Sequence, residues 1–91
     1  MKNGRSRIKS IVTALDATLV QIVPRNDDRN YLLIFNSGDK VAYLAVEGSG
    51  GIGFIDLPPH NGKEWQGKVP INKFMAKCLD TDTTSIVVWE A

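Results

Sequence analysis

The chain has 91 residues, of which 43% are hydrophobic and 23% charged, and its formal net charge is +1. That length holds one core, and the composition lies far from the low-hydrophobicity, high-charge corner that disordered chains occupy. A lone cysteine, Cys78, excludes an intramolecular disulfide and a thiolate metal site, and a lone histidine, His60, excludes a metal site built on several imidazoles.

The charge is uneven along the chain. Lys2, Arg5, Arg7 and Lys9 fall in the first ten residues with no acid among them, leaving seven basic against ten acidic residues in the remainder. Residues 1–10 therefore read as a flexible basic arm and residues 11–91 as a single domain; such an arm reaches toward an acidic protein patch or a nucleic acid. No apolar core of ~7–15 residues follows the arm, because Asp16 and Thr18 interrupt it, so no signal peptide is read. The longest apolar runs, residues 31–35 and 86–89, fall far short of the ~20 residues of a membrane helix, and no membrane partner is expected.

Strand signals recur every eight to twelve residues between turn residues, the spacing of a sandwich or barrel. Residues 11–15 and 18–23 are rich in β-branched side chains and read as two strands or one bent strand, ended by Pro24, which cannot donate to a ladder. After the polar loop 25–30, residues 31–36 are apolar up to Asn36. That predicts a central strand covered on both faces, or one whose second face meets a partner. Ser37-Gly38-Asp39 supplies a turn, and residues 40–46 are expected to be the hairpin mate of that strand. A glycine-rich stretch, 48–53, precedes a short strand at 54–57, stopped by Pro58-Pro59; His60-Asn61-Gly62 then turns into a strand at 63–66. Residues 74–79 and 84–90 complete about eight strands.

Catalytic chemistry finds little to stand on. His60 could serve a hydrolytic triad only with a Gly-x-Ser-x-Gly elbow, of which Gly48-Ser49-Gly50 is a fragment. Cys78 has Met75, Ala76 and Leu79 as neighbours and reads as a small buried hydrophobe. The glycine stretch lacks the following helix of a phosphate loop, and Asp27-Asp28 and Asp80-x-Asp82 read as solvated turns. No catalytic, metal or cofactor residue is assigned. Arg25 and Arg29, held between Pro24 and an apolar strand, are the candidate partner-binding side chains beside Lys2, Arg5, Arg7 and Lys9. The alternative for Arg29 is a local pair with Asp27 or Asp28. Seven aromatic residues sit on expected strands, and several of them on one open face beside Arg25, Arg29 and Lys40 would instead suit sugars or single-stranded bases.

In order along residues 23–91 come Arg29-Asn30-Tyr31-Leu32-Leu33-Ile34-Phe35-Asn36, the glycine-rich 48–53, Leu57-Pro58-Pro59 with Trp65, Val69-Pro70, and Ile86-Val87-Val88-Trp89-Glu90. This succession, over about three-quarters of the chain, resembles a family of small β-sandwich virion proteins of tailed bacteriophages, found among capsid decoration and head or tail accessory proteins. The family pattern has a polar residue where this chain has Phe35. The resemblance implies a jelly-roll-like antiparallel sandwich or barrel and a non-enzymatic structural protein made in the bacterial host cytoplasm and carried in the virion. Its implied partners are the major capsid protein or another virion protein and copies of itself, a trimer being the first expectation. A carbohydrate- or nucleic-acid-binding β-module is the alternative.

Overall fold

The computed structural model describes residues 9–47, 54–79 and 81–91, and it is all-β. Eight strands follow one another: β1 (Lys9–Leu15), β2 (Val20–Val23), β3 (Tyr31–Asn36), β4 (Ala42–Val46), β5 (Ile55–Leu57), β6 (Gly62–Gln66), β7 (Phe74–Lys77) and β8 (Thr84–Glu90). Lys9 and Ser10, expected in the arm of 1–10, instead pair with Glu90 and Trp89 of β8, and the remainder of that expected arm lies outside the described residues.

Two four-stranded antiparallel sheets result, one in the order β1-β8-β3-β6 and the other β2-β7-β4-β5. First pairs with last, second with seventh, third with sixth and fourth with fifth. The chain is one long antiparallel hairpin, nested four pairs deep and rolled so that successive pairs fall in alternate sheets. Because a strand's side chains alternate between faces, each sheet presents one apolar row to the other. Leu15, Leu32, Ile34, Ile86 and Val88 from the first sheet meet Ile22, Val23, Ala42, Leu44, Leu57, Phe74 and Ala76 from the second, all buried. Trp65 of the edge strand β6 points inward and lies with its ring centroid 5.3 Å from that of Phe74.

One expectation is corrected here. β4 is not the hairpin mate of β3: it pairs with β5 and β7 in the opposite sheet, while β3 lies between β8 and β6. The cause is the buried side chain of Asn36, the last residue of β3. Its Nδ2 donates to the carbonyls of Lys40 (2.7 Å) and Leu57 (2.9 Å), and its Oδ1 accepts from Gly38 N–H (3.1 Å) and Thr84 Oγ1 (2.8 Å). All four hydrogen-bonding positions of the amide are used, so the segment after β3 is tied to the second sheet instead of turning back beside β3. Gly38 sits so close to β8 that a Cβ there would collide with the Thr84 hydroxyl and press on the Ser85 backbone, which is why this turn carries glycine.

Replacing Asn36 with Leu should therefore cost at least about 2 kcal/mol, since it leaves the Lys40 and Leu57 carbonyls and the Thr84 hydroxyl without their partner. Chemical denaturation monitored by Trp fluorescence gives the midpoint that checks it.

Candidate functional site

The alternation in β3 leaves Tyr31, Leu33 and Phe35 on the face turned away from the core. Register carries that face across the sheet. Val12 stands opposite Val87, Val87 opposite Phe35, and Phe35 opposite Gly62; one row along, Ser10, Trp89, Leu33 and Glu64 stand in line. Val12 is 68% exposed and Trp89 44%. Leu33, Phe35, Val87 and Trp89, with Ser37 at one end, line a shallow groove of about 390 Å³. Gly62 widens it: a Cβ there would stand 3.1 Å from Phe35 Cδ1 and 3.3 Å from Leu33 Cδ1, so its absence lets both side chains lean over β6.

The polar groups around this groove are already engaged. Trp89 Nε1–H donates to Ser10 Oγ (3.1 Å), and the Tyr31 hydroxyl donates to Glu64 Oε2 (2.7 Å). That bond, with the nearby carboxylate charge, holds the Tyr31 hydroxyl above its ordinary pKa of 10.0. Neither Arg25 nor Lys40 lines the groove. The strand expected to be covered on both faces, or to meet a partner with its second face, has one dry face and one that is open and apolar. The position at which the chain departs from the resembled family, Phe35, lies at the middle of the open one.

The two candidate arginines separate. Arg25 is exposed and its Nε donates to Asp27 Oδ1 at 2.8 Å, taking the local carboxylate. Arg29, expected at the surface, is buried: its Nε donates to Glu90 Oε1 (2.8 Å), Nη1 to the carbonyls of Pro70 (2.6 Å) and Asn72 (3.1 Å), and Nη2 to that of Pro24 (2.6 Å). It pairs with neither Asp27 nor Asp28. Four acceptors from three segments, one nearby and two distant in the chain, match the planar fork of a guanidinium, and this pulls the side chain inward. Asn26 Nδ2 also donates to Glu90 Oε1. Lys2, Arg5 and Arg7 lie outside the described residues, and Lys9 opens β1.

The remaining candidates are dispersed. His60 turns the chain with a φ of 59° and its Nε2 lies 3.3 Å from Asp39 Oδ1, both exposed. Cys78 is buried, and burial first, then the Asp82 and Asp16 carboxylates, raises its thiol pKa above the ordinary 9.0 against a smaller opposing effect of a hydrogen bond from Thr84. Tyr43 and Phe54, the other outward aromatics, meet edge to face on the second sheet with Lys77 Nζ 5.0 Å over the Phe54 ring. The apolar groove could have been found in the sequence from the unbroken run of 31–35, but its breadth depends on Val12 and Trp89, which only register brings alongside. No family model, curated protein or solved structure matches the chain.

Two outcomes follow. Arg29→Ala leaves Glu90 buried without its cation and should cost about 3–5 kcal/mol, whereas Arg25→Ala removes an exposed pair and should change stability by less than about 1 kcal/mol; thermal melting of both variants separates them. The neutral Cys78 thiol contributes stability that is present below pH 9.0 and lost as pH rises through its raised folded value. Denaturation midpoints between pH 7 and 10.5 in a Tyr31→Phe background, which removes the other raised group, should fall more steeply with Cys78 than with Cys78→Ala.

Proposed function

We propose that this chain is a non-enzymatic structural protein of a tailed-phage virion, a jelly-roll-like sandwich made in the host cytoplasm that associates with copies of itself and attaches to the capsid shell or another virion protein. The observation that carries the reading is the open apolar sheet face of Val12, Leu33, Phe35, Val87 and Trp89. An aromatic and aliphatic patch with its polar groups internally paired is the composition of a protein interface core. The ordered sequence pieces that resemble the phage family favour the same class, and the nested pairing of strands is the order a jelly roll has.

The face argues against the alternative of a sugar or nucleic-acid module. Saccharide sites set hydrogen-bonding groups around an aromatic platform, and single-strand grooves combine stacking with cations along the backbone. Here the Trp89 N–H and the Tyr31 hydroxyl are engaged, the carboxylate in the outer row is Glu64, and Arg29 is buried. Attachment at many equivalent sites on a shell would multiply modest single contacts and stabilise the assembled form by mass action.

Phe35→Ser and Trp89→Ala should each weaken cosedimentation with phage particles lacking the protein by roughly thirtyfold, the loss of an anchor worth about 2 kcal/mol, while the melting temperature moves little. Undiminished cosedimentation, or retention on soluble glucan or oligothymidine that these changes abolish, would overturn the reading.

A further inference from the structure

A sandwich of two open sheets has four edges, and three of them carry features that stop another strand from adding on. β2 is four residues long, shifts register between Gln21 and Val23, and ends at Pro24. β5 is three residues long, exposes Asp56, and runs into Pro58-Pro59. β6 presents Lys63 and Glu64, both exposed. Short length, bulges, prolines and charges are the devices by which natural sheets blunt their edges. The fourth edge, β1, carries one of them only at its first residue, Lys9: it runs for seven residues in unbroken register with β8, and from Ser10 to Leu15 it holds no charge and no proline. Among the described residues β1 pairs with β8 alone.

We infer that the β1 edge is the contact between two copies of this chain, joined antiparallel about a twofold axis centred on Val12 into one continuous eight-stranded sheet. The sequence of β1 is self-complementary about that residue. Val12 is the middle of the seven, and reversal sets Val12 against Val12 of the second copy, Ser10 against Ala14 and Ile11 against Thr13, with Lys9 against Leu15 at the two ends. The pairs formed by residues 10–14 are all uncharged, and the outward members, Ser10, Val12 and Ala14, are small enough for strands to approach at the ordinary ~4.8 Å spacing. An axis perpendicular to the sheet keeps both outer faces on the same side. Val12, the most exposed large hydrophobic side chain among the described residues, then lies at the centre of the joined sheet, with Val87 and Phe35 running outward from it in both copies. The contact is isologous and closes at two. This inference does not rest on the virion reading, because it concerns only the contact between copies; the trimer expected from sequence would need another surface.

A joint of five or so residue pairs is small beside standard interfaces of 1,200–2,000 Å², so a dissociation constant on the order of micromolar is expected. Light scattering on the full chain at tens of micromolar should show a dimer that dissociates on dilution. Val12→Lys places two ammonium groups opposite each other at the axis and should weaken the dimer roughly tenfold or more, and it keeps the fold because that side chain faces solvent. Val12→Cys should form a disulfide-linked dimer on mild oxidation, with the buried Cys78 of the unaltered protein as the unlinked control. Phe35→Lys, which changes the face and leaves the edge intact, should keep the dimer. A monomer or trimer in solution, or a dimer lost with Phe35→Lys and kept with Val12→Lys, would overturn the inference. Neither result bears on particle binding, which is read by cosedimentation.

Discussion

The guanidinium of Arg29 is the interaction on which the sandwich closes. It stands two residues before β3, donates to the Glu90 carboxylate at the end of β8 in one sheet, and donates to carbonyls just after β2 and just before β7 in the other. A planar fork with five donors can hold such divergent segments at once, which an ammonium of one point charge cannot do with the same geometry. The neighbouring backbone closes the same end: Asn30 and Tyr31 N–H donate to the Ala91 carbonyl, Ala91 N–H to the Tyr31 carbonyl, and Asn26 N–H to that of Ile71. At the far end of β3, Asn36 repeats the arrangement with a neutral amide, joining Thr84 of the first sheet to Leu57 of the second. β3 is thus pinned at both ends by a buried polar group, and the apolar row between those pins can pack without slipping.

That pinning has a consequence for the outer face. Register across β1, β8 and β3 is specified by the buried row, and a slip of one residue would exchange the two faces. Val12, Val87 and Phe35 lie in line outside only because Ile86, Val88, Leu32 and Ile34 are committed inside. The surface proposed for partners is in this sense a by-product of how firmly the core is held. Its character follows from the residues that alternation leaves over: apolar ones on both faces of β3 and β8, where a free-standing sandwich would have polar side chains outside.

The division of roles among charged residues follows the same logic. Arginines four positions apart in one loop end in different environments. Arg25 finds an exposed carboxylate two residues on, while the chain at Arg29 turns inward beneath Asn26 and finds four acceptors. Arg29 is withdrawn from the surface at which the loop composition placed it, while Arg25 stays exposed beside Asp27.

The sequence by itself determined the class of the fold and most of its pieces. β-branched and aromatic runs between proline, glycine and Asx punctuation marked β3 and β8 to the residue and the other strands within one or two at most ends, because period-two alternation and turn chemistry are local properties of the chain. Cys78 was legible as a buried hydrophobe from its neighbours alone. Only the tertiary structure decided which strands pair, since local pattern says where a strand lies but not which edge it meets; the crossing of β4 into the second sheet turns on one buried amide. It also decided the fate of Arg29, whose acceptors lie 5, 41, 43 and 61 positions away. The apolar face is assembled in the same manner from β1, β3 and β8, strands distant in the chain, so its breadth exists only once their register is set.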